Sequence, residues 1–432
     1  MESVRNPILL VFVSLLLLGS ALFASKKIYI DIFQAINRAL ENSSLISYKL
    51  EDIKAFKRSG SGSSLYLPSL NYYTDFTFHS LRMEYNINQF LAVSMTGLPN
   101  VTSKRLEAEL LSYKMRTSED TASLFLRLLT TRKILEKVEK MFTEAETLLN
   151  IIKRDSGIPE HQRIAAEISF DRFKLIIMKL RHEERLLSMD FKHRLSIPQE
   201  MDVILKDDLN LLSESASSSA VLNKISKEII HNLAEVKVAQ LRMEESKLEE
   251  KANFYREKLP QMTPYLSFSI TGSEPTVEAG IRLSYNIVPF ISLSVEGKGI
   301  WQKEGDIEWR ASLSFDFNKN FLSTPLSNFD NSRLDEVIQI SSFNLSNVMY
   351  SIAEAREAMN IAKKIENLLN EEEKHTVTEA EKMRLLLEKA SNIESYFRAL
   401  QEYSISVFKL KLWRGEFREV INLGFTDLNS EQ

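Results

Sequence analysis

The chain has 432 residues, with 55 basic and 59 acidic side chains, a formal net charge of -4 and no cysteine. Basic and acidic residues are interspersed, so no basic cluster is available for a phosphate backbone and we expect no nucleic-acid binding. The lack of cysteine excludes disulfide bridges and an N-terminal lipidated cysteine. Stability must therefore come from packing and assembly.

The N-terminus has the layout of a secretory signal. Arg5 precedes an apolar run over residues 8–18, and small residues follow at 19–21 and at Ala24. This pattern predicts a cleavable signal peptide over residues 1–24, with an uncleaved membrane anchor as the alternative. No later window holds about 18 consecutive apolar residues, so a membrane role would have to use strands.

A segment of 17 residues occurs twice in the chain. Residues 81–97 (LRMEYNINQFLAVSMTG) and 281–297 (IRLSYNIVPFISLSVEG) align without a gap and are identical at seven positions. Both copies resemble strands, and each is followed by a long stretch poor in proline. We therefore predict two tandem structural repeats, residues 25–197 and 198–424, followed by a tail over residues 425–432.

Proline and glycine divide each repeat, because proline is excluded from helix interiors. The first repeat is predicted to contain lead-in helices over about 30–58, strands over 65–96, and a helical hairpin over 103–195 that turns at residues 155–159. The second is predicted to contain helices over 199–259, of which 199–213 is a short connecting helix, strands over 265–318, and a hairpin over 332–413 that breaks near residues 374–376.

Apolar and small residues in the predicted hairpins recur at alternating steps of three and four, the spacing of a coiled-coil seam. These positions are Thr121, Leu124, Leu128, Thr131, Leu135, Val138, Phe142, Ala145, Leu149 and Ile152, then Leu345, Val348, Ile352, Ala355, Met359 and Ala362, then Leu386, Ala390, Ile393, Phe397 and Leu400. A helix of 50 residues is about 75 Å long. We predict long antiparallel coiled-coil hairpins within a ring of helices, an α-barrel tunnel; an isolated coiled coil is the alternative.

The predicted strands alternate between apolar and polar residues. One face carries Trp309, Ala311, Leu313, Phe315 and Phe317, and the other carries Arg310, Ser312, Ser314, Asp316 and Asn318. A soluble antiparallel sheet gives this pattern when one face packs on a core. The apolar seams of the predicted helices already pack against one another, so no helix face remains to cover the apolar face of the sheet. We therefore favour a transmembrane β-barrel whose apolar face meets lipid. One chain supplies about four to seven strands, fewer than the eight a barrel needs, so closure requires oligomerisation.

The chain resembles the outer-membrane efflux (TolC-like) family over nearly the whole mature sequence. IDIFQAINRALENSSLISYKLEDI at residues 30–53 is similar to the family's opening helices, and Pro68-Ser69-Leu70 to the start of its first strand. Residues 375–416 are similar to its last hairpin. The positions that match that hairpin are Ala399, Leu400, Tyr403, Leu410 and Gly415.

The resemblance implies a mainly α fold with a β-barrel portion, in which three copies form a homotrimer. Twelve strands would close a transmembrane β-barrel in the outer membrane, and twelve helices would form a tunnel across the periplasm. A periplasmic adaptor (membrane fusion) protein and an inner-membrane pump would dock at the tunnel mouth. The implied localisation is the outer membrane, with a periplasmic extension.

The hairpin turns are the predicted periplasmic tip, gate and adaptor-docking sites; the alternative is that they are ordinary helix turns. The predicted residues are Asp155, Ser156, Gly157, Glu160, His375, Thr378, Glu381 and Arg384. In the resemblance, the acidic pair that narrows the family's mouth falls on Glu381 and Arg384, so one acid is replaced by a cation. His375 stands where the family prefers glycine.

No residue pattern indicates catalysis, a cofactor or a metal site. The six histidines are scattered, and the sequence contains no phosphate-binding glycine loop. We therefore predict no enzyme, but a passive exit duct of a tripartite efflux or type I secretion system, driven by a partner pump. The alternatives are a soluble periplasmic coiled-coil adaptor or scaffold, and a surface adhesin or stalk protein.

Overall fold

The computed structural model describes residues 27–60, 69–74, 78–206, 229–271, 274–288, 291–301, 305–317, 331–376, 378–417 and 419–421. The predicted signal peptide, Pro68 and the predicted tail lie outside these residues. The chain divides into two compact units. The helical unit comprises Met1–Ser44, Tyr113–Ile229 and Ser342–Gln432, and the sheet unit comprises Leu45–Ser112 and Ile230–Ser341.

The described residues include eight α-helices, one π-helical turn and eight β-strands. They are β1 Lys27–Ile30, α1 Ile32–Asn42, α2 Ser44–Gly60, β2 Ser69–Thr74, β3 Phe78–Glu84, α3 Ile87–Thr96, α4 Leu98–Arg154, α5 Glu160–Arg194, β4 Asp202–Leu205, α6 Ala234–Asn253, a π-helical turn Phe254–Lys258, β5 Gln261–Thr271, β6 Glu274–Val288, β7 Ile291–Trp301, β8 Ile307–Phe317, α7 Asn331–His375 and α8 Glu379–Trp413. No helix in the described part of the chain is long and apolar enough to cross a membrane.

The core of the helical unit lies between α4, α5 and α8. It is built from the seam residues of α4 and α8 together with apolar residues of α5, among them Val138, Phe173, Ile177, Leu386 and Phe397. The ring of Phe142 stacks on Phe170 at 5.0 Å and meets Phe173 edge-on at 5.7 Å. Every predicted seam position of α4 is buried or half-buried, as the heptad spacing predicted.

The sheet unit contains one antiparallel sheet with strand order β2-β3-β5-β6-β7-β8. Its register is continuous from Ser69 opposite Glu84 to Trp301 opposite Ile307, with one irregularity near Asn286. The family resemblance implied four strands per chain, but this sheet has six. The alternation of the sequence is preserved, so each face of the sheet keeps one kind of side chain.

The prediction of strands as far as residue 96 is wrong, because residues 87–96 form helix α3. Asn86 caps that helix by accepting the Gln89 N–H at 3.0 Å, and Gly97 ends it with a φ of 67°. The buried Asn88 side chain then donates to the carbonyls of Tyr255 and Pro260 and accepts from the Met262 N–H.

The second copy of the duplicated segment lacks the groups that make this helix. Proline at 289 replaces Gln89 and has no N–H to donate to a capping asparagine, and Val288 replaces Asn88. β-branched residues follow at Ile291 and Val295, which favour a strand. The first copy therefore ends in a helix, whereas the second continues into strands β6 and β7.

The short connecting helix predicted over residues 199–213 is also wrong in its described part. Residues 202–205 form β4, which pairs in parallel with β1 and places Val203 opposite Ile28. Val203 and Ile30 are buried in this pair of strands, and their β-branched side chains favour a strand over a helix. Residues 207–213 lie outside the described part of the chain.

The hairpin tips and the two-faced sheet as candidate functional sites

The first tip is the turn between α4 and α5. Asp155 accepts the Gly157 N–H through its side chain at 2.8 Å, which closes a tight turn over Ser156. Pro159 then precedes the first residue of α5, Glu160, whose negative charge suits the positive end of the helix dipole. Asp155, Ser156, Gly157 and Glu160 are all exposed, as are Lys153 and Arg154 in the last turn of α4, so this tip offers charges of both signs to solvent.

The second tip is the turn between α7 and α8. The Thr378 hydroxyl accepts the Glu381 N–H at 3.3 Å, and the Glu381 carboxylate accepts the Thr378 N–H at 3.4 Å. This reciprocal pair is a capping box, which satisfies two N–H groups that the first turn of a helix would leave without acceptors. Glu381 therefore fixes the start of α8, while its carboxylate remains exposed. His375 is the exposed last residue of α7.

Ion pairs join α7 to α8 just behind the second tip. Arg384 contacts Glu372 at 2.6 Å, and Lys389 contacts Glu373 at 2.8 Å. Most of these side chains are exposed, so each pair contributes at most about 1 kcal/mol. They nevertheless satisfy the charge of Arg384, the cation that the resemblance placed at the mouth.

One face of the sheet exposes large apolar side chains. Cross-strand neighbours on this face form a row across all six strands, from Tyr72 through Phe268 to Ile307, and a second row runs from Leu70 to Trp309. Trp309 is 76% exposed and Phe268 is 42% exposed. A contiguous apolar surface of this extent marks contact with a partner or a membrane.

The opposite face of the sheet carries ion pairs that lie between neighbouring strands. Arg282 on β6 contacts Glu296 on β7 at 3.3 Å, and Lys298 on β7 contacts Glu278 on β6 at 3.1 Å. Tyr265 donates its hydroxyl to Glu296. One face of the sheet is thus mainly apolar, and the other is mainly polar with ion-paired charges.

Solved structures share this architecture. CusC, which forms a transmembrane channel, has a TM-score of 0.58 at 10% identity over 88% of this chain and 91% of that chain. The Campylobacter jejuni CmeC outer membrane channel has a TM-score of 0.56 at 10% identity, covering 91% and 89%. The open state of the Neisseria gonorrhoeae MtrE outer membrane channel has a TM-score of 0.56 at 12% identity, covering 89% and 88%.

This chain has the fold of the outer-membrane channels. No protein-family model matches its sequence, and no curated protein matches it. At 10–12% identity the likeness is one of fold alone. The resemblance found in the sequence and the likeness found in the structure therefore point to the same architecture from different observations.

The structure divides the predicted tip residues between two turns. Asp155, Ser156, Gly157 and Glu160 surround the first, and His375, Thr378, Glu381 and Arg384 surround the second. Their roles as gate or docking residues stay predictions. Within the described residues, no group of three or more histidine, aspartate or glutamate side chains could hold a metal ion.

Sequence reasoning missed a groove between α4, α7 and α8. It has a volume of about 250 Å³ and is lined by Met141, Glu144, Glu366, Leu369, Asn370, Glu373, Leu386, Lys389, Asn392 and Ile393. Asn392 donates to the Ala362 carbonyl at 2.9 Å and so ties α8 to α7 beside it. Residues from three helices line the groove, so the heptad pattern of a single helix could not reveal it.

Sequence reasoning also missed a clamp between the two hairpins. The Arg398 guanidinium on α8 donates two hydrogen bonds to the Glu183 carboxylate on α5, one of them at 2.8 Å. These bonds hold the pKa of the Glu183 carboxyl below its usual value and raise the pKa of the Arg398 guanidinium. A bidentate pair of this kind is the strong form of ion pair.

We expect this clamp to make stability depend on pH. The pKa of Glu183 is lower in the folded state, so the stabilisation is complete above the ordinary carboxyl value of 4.5 and is lost as pH falls below it. Arg398→Met should lower the free energy of unfolding by about 1–2 kcal/mol at pH 7, as measured by guanidinium denaturation in detergent, and should flatten the decline below pH 4.5.

The matched control is Arg181→Met, which removes an exposed pair with Glu139 between α4 and α5. That change should alter stability by less than about 0.5 kcal/mol. Equal effects of the two substitutions at pH 7 would show that the clamp is no stronger than an ordinary surface pair.

Proposed function

We propose that this chain is the outer-membrane channel component of a tripartite efflux or type I secretion system. It serves as a passive exit duct for small molecules or proteins, and a partner inner-membrane pump supplies the energy. The observation that carries this proposal is the two-faced sheet. Apolar side chains cover one face and ion-paired polar side chains cover the other, as in a barrel with lipid outside and water inside.

The proposed duct is a homotrimer, and exposed apolar stripes on two helices support assembly. On α5 the stripe is Ile164, Ile168, Leu175, Met178, Leu186 and Met189. On α7 it is Phe343, Tyr350, Ile361, Ile365 and Leu368. These positions follow helical spacing and lie outside the apolar core cluster of the helical unit. Each stripe is thus available as a second coiled-coil seam for a neighbouring copy.

The proposed site of partner docking is the pair of hairpin tips. Their exposed residues would face the periplasm, where an adaptor protein and the pump can reach them. The groove between α4, α7 and α8 adds an apolar surface with a charged rim, which suits an amphipathic helix of an adaptor. The protein would thus occupy the outer membrane with a periplasmic extension.

Membrane fractionation, particle mass and conductance test the proposal together. We expect the mature protein to stay in the outer-membrane fraction after a urea wash, to have the mass of three chains in detergent, and to conduct ions in planar bilayers. A soluble adaptor or scaffold would wash off the membrane, and an adhesin or stalk protein would give no conductance. A stable monomer in buffer without detergent would contradict the proposed duct.

Two substitutions at the second tip separate a gating charge from a helix cap. Glu381→Gln keeps the capping box, because glutamine serves equally well at this position, but removes the charge. If Glu381 lines the mouth, this variant should lower the ratio of cation to anion permeability in planar bilayers, and loss of the charge at the helix dipole should lower the free energy of unfolding by only about 0.5 kcal/mol.

Thr378→Ala is the complementary variant. It should lower the free energy of unfolding by about 1 kcal/mol through loss of the cap, with the charge at 381 retained and the selectivity unchanged. Glu379→Gln, in the same first turn of α8, is the control for a nearby charge that pairs with Lys382. Unchanged permeability in Glu381→Gln would limit Glu381 to its structural role in the cap.

A further inference from the structure

The two outer strands of the sheet are complementary to each other. Within the described residues, the outer strands are β2 and β8, and every neighbouring pair between them is antiparallel. Because the number of strands is even, β2 and β8 run in opposite directions. The β8 strand of one copy can therefore pair with the β2 strand of the next in the same antiparallel manner as the rest of the sheet.

The faces of these two strands also agree. Leu70 on β2 and Trp309 on β8 lie in the same cross-strand row of the apolar face, whereas Asn71 and Glu308 lie in the same row of the polar face. Pairing between copies would continue both faces without interruption. An outer strand left unpaired in lipid would expose its N–H and C=O groups at a cost of several kcal/mol each.

We infer that three copies close a barrel of eighteen strands, six from each chain, rather than the twelve implied by the family resemblance. This inference rests on the proposed function. With strands about 4.8 Å apart and tilted by about 40°, eighteen strands give a backbone diameter of roughly 36 Å, against roughly 24 Å for twelve. Side chains about 5 Å long on the inner wall leave an opening of roughly 26 Å.

The polar face is built to keep such an opening free. Arg282 and Glu296 are direct cross-strand partners, and Lys298 reaches Glu278 on the adjacent strand, so their charged ends lie along the wall. The ring of Tyr265 lies flat over Gly280, where an added Cβ would be 2.7 Å from ring atoms. Arg82 then stacks on the same ring at 4.3 Å. These two bulky side chains of the polar face therefore lie along the sheet.

The size of the opening bears on the class of solute. A barrel of 16 to 18 strands encloses an aqueous channel, whereas narrow barrels are filled by their own side chains. The exit end of this duct would admit hydrated polymers such as polypeptide segments as well as small molecules. Selection by size would then fall to the helical tips and not to the barrel.

Cysteine cross-linking tests the inference, because the chain contains no cysteine of its own. Asn71→Cys on β2 is combined in turn with Glu308→Cys, Arg310→Cys, Ser312→Cys or Ser314→Cys, all on the polar face of β8. After oxidation of the detergent-solubilised trimer, at least one pair should give a covalent trimer on non-reducing gels, since facing strands meet disulfide geometry. Asn71→Cys with Ala311→Cys on the opposite face is the matched control and should not cross-link.

A second set of pairs distinguishes the two strand numbers. Asn71→Cys is combined with Thr276→Cys or Ser284→Cys on β6, which would be the outer strand if only β2, β3, β5 and β6 formed the barrel. A covalent trimer from this set would overturn the inference in favour of twelve strands. So would the absence of any cross-link from β2 to β8 in a trimeric, conducting protein.

Electron micrographs of the trimer viewed along its axis give an independent measurement. The inference predicts a backbone ring of roughly 36 Å, and a ring of roughly 24 Å would contradict it. Failure of the proposed function has a different signature. A protein that is neither trimeric nor conducting would give no intermolecular cross-link from either set, and would overturn both the duct and its strand number.

Discussion

Phe268→Arg is expected to abolish stable insertion into the outer membrane. Phe268 lies three residues before the end of β5 on the apolar face, between Leu81 on β3 and Val277 on β6. An arginine on the lipid face costs about 2–4 kcal/mol per chain at the bilayer midplane and less toward either interface. In the proposed trimer three chains would share one barrel, so the cost per trimer would be about three times larger. The measurement is the fraction of protein that remains in the membrane after a urea wash.

Ser269→Arg is the matched control for this experiment. Ser269 is the next residue of the same strand and faces the polar side, opposite Ser80 and Thr276. An arginine there would enter water beside other charged groups, so insertion should stay near the level of the unmodified protein. If both variants inserted equally well, or if only Ser269→Arg failed, the assignment of the two faces would be wrong.

Phe173→Ala is expected to have the largest effect on the stability of the helical unit. The Phe173 side chain is fully buried between α4, α5 and α8, and its ring meets that of Phe142. Truncation to alanine removes a buried ring and leaves a cavity, which costs about 3–5 kcal/mol. The measurement is the guanidinium midpoint of the purified protein in detergent, followed by helical circular dichroism.

Two further variants of α5 separate loss of packing from a general effect of mutation. Lys174→Ala changes the exposed neighbouring residue and should alter stability by less than about 0.5 kcal/mol. Phe173→Leu keeps most of the buried volume and should cost less than about 1.5 kcal/mol. A midpoint in Phe173→Ala close to that of Lys174→Ala would show that Phe173 does not belong to a tightly packed core.

The long helices were the most predictable part of the fold. Glycine and proline are absent between residues 103 and 154, and the heptad spacing persists from Thr121 to Ile152, so the local sequence and the packing both favour one long helix. The observed helix α4 begins at Leu98 and ends at Arg154. The break at Gly157 and Pro159 is equally local, because those two residues prevent a continuous helix without help from distant parts of the chain.

The errors occurred where distant residues decide the local structure. Helix α3 depends on Asn88, whose partners Tyr255 and Pro260 lie more than 160 positions away along the chain. Strand β4 depends on β1, from which it is separated by a similar distance. No window of the sequence contains both members of either pair, so the positions of proline and glycine alone predicted a strand at the first place and a helix at the second.

The candidate site was predictable only as a location. Glycine, proline and polar residues mark the first hairpin turn in the sequence, and polar residues mark the second. The capping role of Glu381 and the pairing of Arg384 with Glu372 required atomic positions, because either side chain could reach several partners. The clamp between Glu183 and Arg398 joins different hairpins, so it has no signature in a single heptad pattern.

The direction of the helices at the tips has an electrical consequence. Helices α4 and α7 end there, and α5 and α8 begin there. The negative C-terminal end of one helix is therefore followed in the chain by the positive N-terminal end of the next. These opposing dipoles largely cancel. Any preference of the proposed duct for ions of one sign would therefore come from side chains such as Glu160, His375 and Glu381. Substitutions at a few surface positions could reverse that preference while leaving the scaffold intact.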